Sequence, residues 1–138
     1  MTKEELKTKI ISAISLGCDK NKVDLENMLG RLKEYGFQIS SDIDSADIVI
    51  VNTCAFIQSA QEEAIANILE MENLKKLGRL EKVIITGCFP ERNYSVMKEN
   101  FPEIDAFLHL RENENIVQLF EGLYGLTPTK PMKKFERV

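Results

Sequence analysis

Two β-branched runs, Ile48-Val49-Ile50-Val51 and Val83-Ile84-Ile85-Thr86, constrain this chain more than any other feature. An uninterrupted apolar run has no polar face to offer water, so such a strand needs cover on both sides. Parallel sheets with helices layered above and below provide that cover. The segments between and around the runs carry helical spacing, and strand-like and helix-like stretches alternate along the chain. The expected fold is therefore α/β: an open, mainly parallel five-stranded sheet with helices on both faces, flavodoxin-like or doubly wound.

The alternation can be followed from the start. Ile10–Leu16 reads as a first strand ending at Gly17-Cys18. Leu25, Met28, Leu29, Leu32 and Tyr35 recur at three- and four-residue steps, which predicts a helix closed by Gly36. Phe37–Ser40 is short and alternating, as an edge strand would be, and the run at Ile48 should be central. Ser59 and Glu62 have the spacing of a capping box, opening a helix with Ala64, Ile65, Ile68, Leu69 and Leu74 facing inward and Gly78 at its end. After the run at Val83, Pro90 suits the first turn of a helix that turns Val96 and Met97 inward. Ile104–Leu108 reads as a fifth strand, and Ile116, Val117 and Phe120 as a last helix ending at Gly122.

Composition narrows the function classes. The 138 residues fit one domain. With 18 Lys and Arg against 22 Asp and Glu, the net charge of -4 argues against a domain-wide basic surface for nucleic acid. No apolar run approaches the roughly 18–20 residues of a membrane helix, and the charged start does not resemble a signal peptide. A cytoplasmic location without membrane contact is expected. An odd count of 3 cysteines leaves a thiol over from any purely disulfide framework.

Those cysteines carry the chemistry. Cys18, Cys54 and Cys88 each follow a predicted strand and precede a predicted helix. In an open parallel sheet such positions share one edge, and the intervals between them suit crossovers of roughly 30 residues. Three thiols at one edge make a metal site. The lone histidine, His109, follows the fifth strand and would complete a Cys3His zinc site, but the close pairing of cysteines usual for zinc is missing. Thiolates equally ligate iron–sulfur clusters, and three of them leave one iron of a cubane open. Gly17 and Gly87 allow sharp turns at strand ends. Asn52 and Thr53 either cap the following loop or orient the thiolate of Cys54. Asn21 either caps the following helix or reaches the bound group.

The residues around the cysteines also resemble a known family. Ser15-Leu16-Gly17-Cys18-Asp19-Lys20-Asn21-Lys22-Val23-Asp24 is similar to the opening signature of the radical S-adenosylmethionine methylthiotransferases. Ala46-Asp47-Ile48-Val49-Ile50-Val51-Asn52-Thr53-Cys54-Ala55-Phe56-Ile57 and Val83-Ile84-Ile85-Thr86-Gly87-Cys88 resemble its second and third signatures, in the same order. The likeness covers residues 9–122, with 1–8 as an extension and 123–138 as a linker. It implies that Cys18, Cys54 and Cys88 hold an auxiliary 4Fe–4S cluster. Gly17, Asn21, Asn52, Thr53 and Gly87 would surround that cluster.

Within the family, the signatures lean toward the branch that methylthiolates an aspartate of a small-subunit ribosomal protein. The branch acting on tRNA adenosine usually carries Gln-Met-Asn where this chain has Asp19-Lys20-Asn21. Two departures from the pattern are Asp19, where proline is usual, and Leu25, where serine is usual. No Cys-x-x-x-Cys-x-x-Cys occurs in the chain. The resemblance therefore implies that the second 4Fe–4S cluster and S-adenosylmethionine belong to a radical domain of the same polypeptide, followed by a C-terminal β domain. Without them this chain is not expected to catalyse methylthiolation. Two other functions remain open on the residues alone. One is a flavodoxin-like nucleotide-binding module, although neither common glycine-rich phosphate loop occurs. The other is a non-catalytic interaction domain with merely buried cysteines.

Overall fold

In a computed structural model of the chain, residues 2–15, 19–53, 58–87, 99, 101–109 and 115–126 are described. Five strands form one sheet: β1 (Ile10–Ser15), β2 (Gln38–Ile39), β3 (Ile48–Thr53), β4 (Lys82–Gly87) and β5 (Ala106–His109). Every pairing is parallel, in the order β2-β1-β3-β4-β5. The α-helices whose bounds lie among the described residues are α1 (Lys3–Leu6), α2 (Asp19–Tyr35), α3 (Gln58–Lys76) and α4 (Ile116–Leu123), with a 3-10 turn at Ile43–Ser45 between β2 and β3. The expected open α/β architecture is observed, with the Ile48 run at the centre and the shortest strand at an edge.

Register aligns the side chains in rows across the sheet. Ala13, Ile50, Ile84 and Ala106 form one row, and Ile14, Val51, Ile85 and Phe107 the next. Because side chains alternate between faces, neighbouring rows point to opposite sides. On one face Ile11, Ile48, Ile50 and Ile84 pack under Leu25, Met28 and Leu32 of α2 and Ile116 and Phe120 of α4. On the other, Val49, Val51, Val83 and Ile85 pack under Ile68 and Met71 of α3, with Leu80, Phe101 and Ile104. Residues Ile48 to Val51 are fully buried, which is why that run carries no polar residue. Phe37 joins the elements beside the short edge strand, lying 5.4 Å from the Tyr35 ring and 5.5 Å, edge to face, from Phe120.

Two aspartates pin the starts of the strands. Asp47 accepts from the Ile10 amide at 2.9 Å through its side chain, and its carbonyl accepts from Glu81 N at 2.8 Å. Asp105 accepts from Val83 N at 2.8 Å and from Lys75 Nζ at 2.9 Å. The fifth strand therefore begins at Ala106, two residues later than periodicity suggests. Asp105 clips its entry, and Ile104 is a core residue just ahead of it.

Helix ends follow the glycines with one shift. Gly36 has φ +122, and Phe37 N reaches back to Leu32 O at 3.1 Å, a hydrogen-bonded stop that a left-handed glycine permits. The last helix runs through Gly122. It ends one residue later, at Leu123, and the chain turns left-handed at Gly125, φ +75, where Leu126 N donates to Glu121 O at 2.7 Å. In α3 the inward stripe is Ile68, Met71 and Glu72, whereas Leu69 is 51% exposed. The expectation of Leu69 inside fails, because it sits one residue off a stripe spaced three and four apart. Ser59 lies inside α3, which starts at Gln58, so it does not cap that helix. The side chains of Ala64 and Ile65 and the helix expected after Pro90 lie outside the described residues.

Two buried carboxylates are bonded. Glu72 accepts from Glu103 N at 3.1 Å, and the fully buried Glu121 accepts from the Tyr35 hydroxyl at 3.0 Å. Burial, then the hydrogen bond and negative charge of Glu121, push the Tyr35 phenol from 10.0 up to about 12. Above pH 10.0 the unfolded chain gives up this proton while the folded chain keeps it, so stability should fall as pH rises toward 12. Tyr35→Phe should make the pH dependence of urea unfolding shallower across that window. Ile50→Ala, at the centre of the sheet, should cost about 2–5 kcal/mol in the same assay without altering the far-ultraviolet dichroism of the folded protein.

Candidate functional site

All strands point one way, so every connection leaving a strand end starts along a single edge. From β1 the chain moves outward to β2, and from β3 it moves the opposite way to β4 and β5. The helix after β1 covers one face and the helix after β3 covers the other. This reversal between β1 and β3 is the switch point at which open α/β sheets take their ligands. Segments 16–18 and 54–57 leave the two strands that border it.

Cys18, Cys54 and Cys88, with Gly17, lie outside the described residues. Their strands are described, and they are contiguous: β1, β3 and β4 lie side by side. Thr53, the last residue of β3, is in register with Gly87, the last of β4, and Gly87 with His109, the last of β5. Cys54 and Cys88 are the next residues in the chain after Thr53 and Gly87, whose strands are about 4.8 Å apart. Cys18 follows Ser15, the last residue of β1, by three positions. Convergence of cysteines so far apart in sequence requires neighbouring strands, and these strands are neighbours. The side chains of Thr53, Gly87 and His109 are not among those described.

Among the described residues, no group of three or more His, Cys, Asp or Glu side chains stands ready to hold a metal. Cys18, Cys54 and Cys88 are the thiols the sequence places after these strands, and His109 ends the strand beside Gly87. Soft thiolates suit zinc or iron–sulfur centres and disfavour hard cations such as magnesium or calcium. The donor set fits a thiolate-ligated group.

Beneath the strand ends runs a polar row. Ser15, Asn52 and Thr86 stand in register on β1, β3 and β4, on the face covered by α2 and α4. Asn52 and Thr86 are fully buried, and each interacts with other groups of the protein. The place of Asn52 before Cys54 points to the site from sequence alone. Thr86 escapes that reading, although its signal is the same: a polar residue closing an apolar strand two positions before a cysteine. Asn21 is the third residue of α2, which begins at Asp19, so it is not the helix N-cap. Its side chain, too, is outside the described set.

The opposite edge is ionic. Lys9 pairs with Glu81 at 2.8 Å and Lys75 with Asp105 at 2.9 Å. The Tyr124 ring lies 5.8 Å from the Lys9 ammonium and 5.4 Å from that of Lys82. Burial, with the nearby charges of Glu81, Asp47 and Asp105, pushes the Tyr124 phenol well above its usual value. Among the described residues, no helix is long and apolar enough to cross a membrane.

Sequence comparison places the chain among known proteins. The sequence model of the family described as "Uncharacterized protein family UPF0004" matches residues 10–109. Ribosomal protein uS12 methylthiotransferase RimO of Solibacter usitatus is 43% identical over 122 residues, 88% of this chain and 26% of that protein. The protein of the same name from Lachnoclostridium phytofermentans is 43% identical over 87% of this chain and 27% of its own length. That of Acetivibrio thermocellus is 44% identical over 85% of the chain and 26% of its own. The chain thus spans about a quarter of the length of these relatives.

Proposed function

We propose, since the chain belongs to the family UPF0004, that it is the auxiliary cluster-binding domain of a methylthiotransferase. The substrate of the whole enzyme, in this reading, is an aspartate of a small-subunit ribosomal protein. The names of the RimO relatives support that choice, and nothing in them favours tRNA. The domain spans residues 9–122, with 123–138 leading to the radical S-adenosylmethionine and C-terminal β domains. A second 4Fe–4S cluster and S-adenosylmethionine belong to that remainder.

The observation that carries the reading is the contiguity of β1, β3 and β4, with Thr53 and Gly87 in register immediately before Cys54 and Cys88. Thiols on neighbouring strand ends are within reach of one cluster. Cys18, Cys54 and Cys88 are its ligands. When bound through three cysteines, a 4Fe–4S cluster supplies one iron with an open position at which sulfur can be held for transfer. The chain's own residues hold and shelter it. The strands fix the spacing of the ligands, Gly17 and Gly87 let the backbone turn closely around them, and Asn52, Thr53 and Asn21 surround the thiolates.

Anaerobic reconstitution with ferrous iron and sulfide tests the assignment. The chain should take up about four irons per molecule, as a cubane requires, and develop a broad thiolate-to-iron absorption. Cys54→Ala, Cys88→Ala and Cys18→Ala should each lose most of that iron while melting close to the parent protein. Equal iron content in the parent and all three variants would sink the reading.

A further inference from the structure

We infer that Thr86, together with its register partner Asn52, is a positioning residue that donates a hydrogen bond to the sulfur-ligated group and sets its reduction potential. The inference rests on the cluster reading above and adds a residue that reading does not contain.

Four observations support it. Thr86 and Asn52 are directly paired across β3 and β4, and both are fully buried. Each stands two residues before a cysteine in the sequence, near the end of its strand. Nearer the strand starts, this face is apolar apart from Lys82, which opens β4 and belongs to the ionic edge: Ile11 with Ile48, then Ala13, Ile50, Ile84 and Ala106. Neutral polar groups begin only at the row of Ser15, Asn52 and Thr86. That row ends at β5, where the register partner of Thr86 is Leu108, a core residue. β5 precedes no cysteine. Polar side chains thus occupy the last row of this face on the three cysteine-bearing strands and not on the neighbour that bears none.

Asn52 and Thr86 each interact within the protein, which meets the cost of burying an amide and a hydroxyl, yet valine or leucine would fill these positions without that demand. Hydrogen bonds to cluster sulfurs are one lever that sets an iron–sulfur potential. A reduced cluster carries one more negative charge, so an O–H or N–H donor favours reduction. Removing the donor should make the cluster harder to reduce.

Thr86→Val keeps the shape and removes the hydroxyl, and Thr86→Ser restores it. Each chain is reconstituted with iron and sulfide and titrated electrochemically, with the reduced state followed by electron paramagnetic resonance. The expected result is unchanged iron content and melting temperature in Thr86→Val, a more negative midpoint potential and an altered resonance spectrum. Thr86→Ser should bring both back toward the parent. A valine variant with the parental potential overturns the inference, as does a serine variant that fails to recover it. A folded valine variant that takes up no iron also overturns it, because the hydroxyl would then hold the site together instead of tuning it. An unsubstituted chain that binds no iron fails the cluster reading itself, and this inference falls with it.

Discussion

The parallel ladder joining β1, β3 and β4 is the constraint on which the rest of the molecule depends. A parallel pair cannot be closed by a short turn, so β1 and β3 are each followed by a crossover long enough to hold a helix. The crossovers cover both faces, and that cover is what permits strands made almost wholly of isoleucine and valine. The same ladder forces every outgoing connection onto one edge. Register then becomes a functional quantity: a slip of one residue between β3 and β4 would separate Thr53 from Gly87 and send Asn52 and Thr86 to opposite faces. The Asp47 carbonyl, accepting from Glu81 N, holds the start of β3 against that of β4, while the Asp47 and Asp105 side chains tie β3 to β1 and β5 to β4.

Much of this architecture is legible in the amino-acid sequence. The run at Ile48 announces a central strand because only burial on both faces tolerates four consecutive β-branched residues, and all four are fully buried. The intervals between cysteines suit consecutive or near-consecutive strands, although β2 lies between β1 and β3 in the chain and takes the outer edge, leaving β1 beside β3. Local competition is harder to read. Gly122 has the look of a helix stop, but a glycine in the last turn ends nothing unless the backbone turns left-handed, and it does so three residues later at Gly125. Leu69 suggests burial by composition alone, whereas the phase set by Ile68, Met71 and Glu72 turns it to solvent and brings a glutamate inside. A buried glutamate is legible only once its donor, the Glu103 amide, is in place.

The candidate site is legible in the placing of its cysteines after strands and not in the strand row beneath them, for a physical reason. Cysteine is rare enough that three at strand ends form a pattern, whereas a threonine closing a β-branched run fits a strand by propensity alone. Thr86 acquires meaning only from register, which shows that its row holds Ser15, Asn52 and Leu108 and that the polar members coincide with the cysteine-bearing strands.

The two edges of the sheet divide the work between them. At the strand starts, Lys9, Lys75, Lys82, Asp47, Glu81 and Asp105 neutralise one another around Tyr124, fixing the ladder with ions and backbone hydrogen bonds. At the strand ends, the row of Asn52 and Thr86 holds neutral hydroxyl and amide groups. If the proposed cluster binds there, formal charge would be costly beside a thiolate-bound group that is itself negative. A carboxylate in place of Asn52 would repel it, and a buried lysine would depend on it for a partner whenever the site emptied. Neutral donors avoid both problems, supporting negative charge when a group is bound and leaving no isolated charge when none is. The two edges thus differ in kind: ions and backbone hydrogen bonds hold the strand starts, and neutral polar groups close the strand ends.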